Sequence, residues 1–308
     1  MAVELFHFQY KENQVYANYL DALNVNPDGI RYISQIPFLP ISFFKTHQIQ
    51  SGSFEANQIF TSSGTTGQLS SRHFVEDVAL YEASCKVGFE EVYGPMSDYC
   101  VLALLPSYLE RTGSSLIYMA ERMIEQSQDA QSGFYLDNLE ELYTVLLKKI
   151  RAKKKTLLLG VSFALLDFAE RFQLPANEVI VMETGGMKGR RKEMIRSELH
   201  QILAPKFGVK TIHSEYGMTE LMSQAYSRGS GRFTTPNWMK VLVRETDDPF
   251  SYAKPGKTGG INIIDLANID SCAFIETQDL GRMYEDVSFE VMGRFDNADI
   301  RGCNLMVI

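Results

Sequence analysis

Hydrophobic and polar positions change their period three times along this chain. Residues 1–50 read as helices and turns, punctuated by Pro27, Gly29, Pro37 and Pro40. Ile59 and Phe60 close a short apolar stretch, and a loop of small polar residues, 61–67, follows at once. The segment after it, HFVEDVALYEASCKVGFEEVYG, spaces its apolar residues for one face of a helix, so the loop is expected between a strand and a helix. From about residue 98 the pattern alternates. Strands are expected at 99–105, 156–160, 179–182 and 210–213, with helices at 114–126, 137–150, 163–172 and 191–203. Asp137 and Glu140 are spaced like a capping box for the second of these helices. Such alternation implies a mostly parallel, helix-covered sheet. The run Lys153, Lys154, Lys155 reads as a solvated helix end whose charge complements the helix dipole. Beyond about residue 235 the helical period stops. Segments 239–244, 260–265, 273–277 and 287–292 look like strands joined by Gly, Pro and Asp turns. The expected architecture is an α/β core over 1–235 and a smaller β-rich subdomain over 236–308.

Composition narrows the class. The chain has 308 residues with 45% hydrophobic and 22% charged, enough for a large core and incompatible with disorder. A net charge of −8 leaves no basic footprint, so nucleic acid is not an expected partner. An acidic chain can still bind ATP, because a phosphate site is local. Cys85, Cys100, Cys272 and Cys303 include no C-x-x-C pair and suit a reducing compartment. Glu4 stands where a secretory signal would be basic, and no stretch approaches the ~18 continuous apolar residues of a membrane span. A cytoplasmic protein without membrane insertion is expected.

Two clusters carry candidate chemistry. Ser62, Ser63, Gly64, Thr65, Thr66 and Gly67 alternate hydroxyls with glycines. Glycines let backbone N–H groups turn toward an anion, and hydroxyls add donors, so the loop suits phosphate oxygens. It lacks the G-x-x-x-x-G-K-[ST] pattern of a P-loop, and a plain surface turn is the alternative. The second cluster, Ser214, Glu215, Tyr216, Gly217, Met218, Thr219 and Glu220, follows an expected strand, where an open α/β sheet presents its ligand crevice. An aromatic, a glycine, a hydroxyl and a carboxylate within it could stack a base, approach a phosphate and hold a divalent cation.

Together SSGTTG at 62–67, YGMTE at 216–220, Thr277-Gln278-Asp279 and Gly293-Arg294-Phe295-Asp296 resemble, in order, the four motifs of the adenylate-forming (AMP-binding) superfamily. The resemblance implies ATP and Mg²⁺ as cofactors. It implies that Tyr216 stacks on adenine, Thr219 bonds the α-phosphate, Glu220 holds Mg²⁺, and Asp279 binds the ribose hydroxyls with help from Arg294. Gly185 and Gly186, in VMETGGMKGRR, resemble the glycine segment that lines the adenine pocket. Taken singly, Arg294 could be a surface strand residue and Gly185 a strand-exit turn.

The sequence departs from the superfamily twice. Pro-Lys after the phosphate loop is replaced by Gln68-Leu69-Ser70-Ser71-Arg72-His73, leaving Arg72 as the candidate cation. The small mobile domain with a catalytic lysine is expected to be absent, since the sequence ends within ten residues of Asp299. That ending resembles the acyl-protein synthetase branch, similar to the long-chain-fatty-acid luciferin-component ligase of bacterial luminescence, as do PISFFKTH at 40–47 and SSRHF at 70–74. In that branch a cysteine near the C-terminus takes the acyl group, which makes Cys303 the nucleophile candidate; Arg301 could lower its pKa. The other three cysteines read as small buried hydrophobes. His213 could face the site, His47 and His73 could be bases or structural, and His7 and His200 look structural.

The leading expectation is ATP-dependent activation of a carboxylic acid, expected to be fatty, followed by self-acylation and delivery to an acyl-CoA or fatty-acid reductase. An acyl- or aryl-CoA ligase of the phenylacetate-CoA ligase type is the alternative enzyme. A nucleotide- or acyl-binding protein that has lost adenylation is the alternative from another class.

Overall fold

A computed structural model of the chain describes residues 1–62, 69–106, 113–136, 138–185 and 194–295. Helices α1 (Ala2–Glu12), α2 (Gln14–Ala22) and the one-turn α3 (Phe43–Thr46) flank strand β1 (Leu39–Pro40). Strands β2 (Gln58–Thr61) and β3 (Arg72–Val75) precede α4 (Val78–Tyr93). Then come β4 (Cys100–Leu104), α5 (Ser115–Ser127), β5 (Gly133–Phe134), α6 (Leu139–Arg151), β6 (Thr156–Val161), α7 (Ser162–Arg171), β7 (Ile180–Thr184), α8 (Arg196–Phe207), β8 (His213–Tyr216) and β9 (Ala225–Ser227). The chain continues as β10 (Arg232–Phe233), β11 (Met239–Arg244), β12 (Thr258–Asp265), β13 (Phe274–Met283) and β14 (Phe289–Arg294).

Among the described residues, one sheet has the order β5-β4-β6-β7-β8-β9. Its pairs are parallel except β8–β9. Every residue of β4 and of β6 is buried, as a strand covered on both faces requires. The second sheet, β10-β14-β13-β12-β11, is antiparallel, and β1 joins β13 in parallel. The expected mixed α/β architecture with β-rich C-terminal strands is therefore present.

Three local expectations need correction. The loop 62–71 does not lead into a helix: it closes the antiparallel hairpin β2–β3, and α4 starts only at Val78, where Asp77 caps Ala79 N–H at 2.9 Å. Hydrophobic spacing over 73–75 cannot distinguish three strand residues from a helical turn. Helix α6 is capped by Asn138, whose side chain accepts from Glu141 N–H at 3.2 Å and donates to its carboxylate at 2.7 Å; Asp137 lies outside the described residues. Finally, Ser214, Glu215 and Tyr216 do not follow a strand but form β8 itself.

Two hydrophobic cores result. One lies between the parallel sheet and α4–α8. The other joins Phe6, Tyr16, Leu20 and Phe44 to the antiparallel sheet, so residues from both ends of the chain share it. Tyr216 and Leu221 belong to the second core, whereas Met222 and Tyr226 belong to the first. The segment that carries YGMTE is thus the seam between them. Arg196 bridges the same seam: its Nε donates to Glu183 at 2.8 Å, its Nη1 donates to the Val291 carbonyl at 2.8 Å, and its guanidinium lies 4.9 Å from the Phe233 ring centre.

Gln9 on α1 is fully buried and fastens the second core. Its amide donates to the carbonyls of Asn268 at 2.9 Å and Ile269 at 3.0 Å and accepts from Ala273 N–H at 2.9 Å. Gln9→Ala leaves these buried groups unpaired and should lower unfolding stability by about 2–3 kcal/mol. Urea unfolding of the variant against wild type measures it.

Candidate active site

The parallel strands β7 and β8 end side by side, with Glu183 opposite Ser214. Gly185 leaves β7 with φ +66, and its carbonyl accepts from Ser162 Oγ at 2.9 Å. It therefore makes the strand-exit turn. Ser214 has no exposed surface and lies within the sheet. Glu215 is buried beneath the turn and accepts a hydrogen bond from the Thr184 hydroxyl. A Cβ on Gly217 would sit 2.5 Å from Glu215 Oε1, so this position excludes any larger residue without movement of the acid.

Burial pushes the Glu215 carboxyl up to about 7, with the neighbouring Glu183 charge adding to the effect and the Thr184 hydrogen bond opposing it. Glu183 behaves in the opposite way. Burial disfavours its charge, but His200, at 3.6 Å, and Arg196, at 2.8 Å, outweigh that and hold it below the usual carboxylate range.

Tyr216 brings three motifs together. Its ring packs edge-on against Phe233 and Phe289, at centroid distances of 5.9 and 5.7 Å. Its hydroxyl donates to Asp279 Oδ2 at 2.8 Å. Asp279 pairs across β13–β14 with Arg294, whose Nε lies 3.7 Å from Oδ1 while its side chain stays 77% exposed. Burial raises the Asp279 pKa; Tyr216 and Arg294 oppose that rise. Tyr216 itself is only 8% exposed, so a base stacking on it would use the narrow open part of the ring.

The turn after β8 meets the hairpin. Ser62 and Ser71 close the neck: Ser71 N–H donates to Ser62 Oγ at 2.8 Å and Ser62 N–H to the Ser71 carbonyl at 3.1 Å. Glu220 is buried with its pKa raised by burial, and the Ser71 hydroxyl opposes that rise. The Thr219 carbonyl lies 2.8 Å from His73 Nδ1. Arg72 is exposed, on the opposite strand face from Ser71 and His73, with its guanidinium 5.5 Å from the Phe74 ring centre. The structure therefore gathers Ser62, Thr219 and Glu220, and separately Tyr216, Asp279 and Arg294, but does not turn Arg72 toward the YGMTE turn. Ser63, Gly64, Thr65, Thr66, Gly67, Gly186, Asp296, Arg301 and Cys303 lie outside the described residues. Cys85, Cys100 and Cys272 are buried, and burial raises the pKa of each, as for inert thiols.

No group of three His, Cys, Asp or Glu among the described residues suits a metal ion. Glu220, a single carboxylate beside a hydroxyl, matches Mg²⁺ held mainly by phosphate oxygens and water. Ser71, in SSRHF, and Thr184, in VMETGGMKGRR, support the site without having been singled out, and Asn268 and Arg196 do so from outside every motif. Only local hydrogen-bonding capacity marks them in the sequence, and Ser, Thr and Asn carry that capacity everywhere.

The family described as acyl-protein synthetase, LuxE, matches residues 2–308. No curated protein matches significantly. Among solved structures, ATP-bound MatB from Rhodopseudomonas palustris aligns with a TM-score of 0.58 at 16% identity, over 77% of this chain and 47% of that one. O-succinylbenzoate coenzyme A synthetase (MenE) from Bacillus subtilis in complex with AMP gives 0.53 at 16%, over 78% and 50%. An open conformation of 2-hydroxyisobutyryl-CoA ligase gives 0.67 at 10%, over 96% and 68%. These likenesses show the fold, that of the large domain of adenylate-forming enzymes. The chain spans about half the length of the MatB and MenE chains.

Glu215 links this site to pH. Its folded pKa of about 7 lies above an ordinary carboxyl, so its stabilising contribution is full in acid and is lost as pH rises toward and through about 7. Glu215→Gln should therefore flatten the fall in stability between roughly pH 4.5 and 7.5, and be the more stable protein at the alkaline end. Denaturant midpoints across that range, compared with wild type, measure the effect.

Proposed function

The chain belongs to the LuxE acyl-protein synthetase family, and on that footing we propose that it activates a carboxylic acid with ATP and then transfers the acyl group to the Cys303 thiol. The observation that carries the reading is the meeting of Tyr216, Asp279 and Arg294 at the carboxyl end of β8, beside the turn whose Thr219 carbonyl is held by His73 of the hairpin.

The chemistry has two displacements. A carboxylate oxygen attacks the α-phosphorus of ATP, the bond to the β-phosphate bridging oxygen breaks, and pyrophosphate leaves with acyl-AMP formed. The Cys303 thiolate, its proton lost to solvent, then attacks the acyl carbonyl carbon, and AMP departs with the electron pair of the former mixed-anhydride bond. Asp279 accepts ribose hydroxyls, and Arg294, exposed and next to it, steadies that carboxylate. Tyr216 offers its ring to the base while its hydroxyl orients Asp279. Ser62 and the hydroxyl-rich residues after it donate to phosphate oxygens, Thr219 donates to the α-phosphate, and Gly185 with Gly186 borders the base. Glu220 would hold Mg²⁺, which when bound supplies charge neutralisation on the phosphates.

The acid is fatty in this proposal, by the family's resemblance to the luminescence ligases, and the acyl group passes on to a reductase in the cytoplasm. No helix among the described residues is long and apolar enough to cross a membrane.

Intact mass spectrometry after incubation with ATP, Mg²⁺ and a panel of carboxylic acids tests the whole reading. A single hydroxylamine-labile acyl adduct is expected for the preferred acid. Cys303→Ser should lose the adduct while acyl-AMP still forms; retention of the label there, or its mapping to Cys85, Cys100 or Cys272, overturns the acceptor assignment. Acyl transfer to added coenzyme A without any protein adduct would favour the CoA ligase instead.

At the nucleotide end, Tyr216→Ala should weaken ATP binding by roughly 1–3 kcal/mol in calorimetric titration, the range for base–aromatic stacking. Glu220→Gln should suppress carboxylate-dependent pyrophosphate exchange while the fold, followed by circular dichroism, stays intact. Wild-type rates in that variant would remove Glu220 from the metal assignment.

A further inference from the structure

Three segments far apart in the sequence meet at His73. It lies on β3, with Ser71 two residues before it on the same strand face, and is 1% exposed. Its Nδ1 lies 2.8 Å from the Thr219 carbonyl and its Nε2 3.0 Å from Asn268 Oδ1. Asn268, on the connection between β12 and β13 and also 1% exposed, donates from Nδ2 to the Glu220 carbonyl at 2.8 Å. The backbone carbonyl of Asn268 is in turn held by Gln9 at 2.9 Å.

The donors and acceptors here are not interchangeable. A peptide carbonyl only accepts, and Asn268 Oδ1 also only accepts once Nδ2 is given to Glu220, so a neutral His73 ring donates to one of them and the imidazolium to both; burial lowers the His73 pKa and these two acceptors oppose that. The Glu220 carbonyl likewise fixes which end of the Asn268 amide faces it. Two successive carbonyls of the YGMTE turn are thus gripped by buried side chains from outside the turn. Ser71, just before β3, closes the hairpin neck with Ser62, and its hydroxyl lowers the pKa of the Glu220 carboxyl.

We infer that His73 and Asn268 are positioning residues that lock the Thr219–Glu220 peptide to β3, so that the side chains of Thr219 and Glu220 hold one placement relative to the hairpin neck at Ser62 and Ser71. The inference rests on the proposed function for what the turn does, and on the hydrogen bonds alone for what holds it. A histidine buried only to fill the space behind β3 would not need both ring nitrogens on polar partners. Filling that space, moreover, needs no contact with the turn.

The test uses the full chain and the variants His73→Ala, His73→Asn and Asn268→Ala. Asparagine presents a side-chain N–H where the imidazole presents Nδ1, so it keeps the bond to Thr219. Pyrophosphate exchange should fall on the order of 10–100-fold in kcat for His73→Ala, as for removal of a residue supporting a metal or phosphate site. The KM for the carboxylic acid should stay within about two-fold, and His73→Asn should recover most of the loss. Hydrogen–deuterium exchange should speed up in the peptide spanning 216–224 for His73→Ala and Asn268→Ala, with the strands 100–104 and 156–161 unchanged. A wild-type kcat in His73→Ala, an equal loss in His73→Asn, or a rise in exchange spread over the whole fold overturns the inference. If His73→Ala does not fold, Asn268→Ala decides by the same two readouts, since it removes the Glu220 grip and the Nε2 contact but leaves the His73 contact to the Thr219 carbonyl. If wild type itself exchanges no pyrophosphate with any acid, the proposed function fails, while the local protection of 216–224 still decides whether the lock exists.

Discussion

The hydrogen bond from Tyr216 to Asp279 is the contact on which the arrangement of this crevice depends. Tyr216 ends a strand of the parallel sheet, and Asp279 sits on a strand of the antiparallel one. Each sheet could satisfy its own core without the other. What makes one site of two sheets is that a ring packed among Phe233 and Phe289 directs its hydroxyl to a carboxylate across the seam. Arg196 reinforces the same join a layer below, with Glu183 on one side and the Val291 carbonyl on the other. Displacing either sheet by a strand spacing would separate the base-side and ribose-side residues of the proposed nucleotide.

A second constraint follows from how many acids this seam buries. Glu215, Glu220, Asp265 and Asp279 all have their pKa raised, in each case first by burial. Burying a carboxylate is costly unless donors or cations compensate it. Asp265 is compensated by Met222 N–H at 2.9 Å and Ser223 Oγ at 2.6 Å, and is a structural anchor beneath the turn. Glu220 has Ser71, and Asp279 has Tyr216 and Arg294. The latter two sit where the proposed ligand would add ribose hydroxyls and a divalent cation. In the proposed function, nucleotide and cation would therefore compensate carboxylates that folding leaves buried.

Much of this was legible in the sequence because it depended on order and period. The strands β4, β6 and β7 read correctly as apolar runs, β4 and β6 being buried on both faces, and the β-rich end read correctly as the loss of helical spacing. Three of the four motifs singled out Tyr216, Thr219, Glu220, Asp279 and Arg294. What failed was local and short. Residues 73–75 are too few to show a period of two, so the hairpin strand β3 was absorbed into the helix that follows. Ser214 and Glu215 read as loop residues because polar side chains suggest exposure; they are strand residues whose polarity is met inside the protein by Thr184 and its neighbours. Asn268 gives no signal at all, because its role exists only once three distant segments have come together.

The hairpin changes how phosphate recognition at 62–67 has to work. In a P-loop or dinucleotide fold the glycine-rich turn opens into a helix, and the helix N-terminus contributes a positive dipole to the phosphates. Here the residues that leave the loop enter β3, which has no such dipole, and the first helix downstream starts at Val78. Attraction for phosphate must then come from the N–H groups and hydroxyls of the motif itself and from a cation. It cannot come from Arg72 in the placement seen here, on the strand face that bears Phe74. In the proposed function a cation held through Glu220 would add counter-charge. Without a helix dipole at the phosphate, the placement of that carboxylate against the hairpin matters the more, and Asn268 on the Glu220 carbonyl, with His73 on the Thr219 carbonyl, fixes the backbone that carries it.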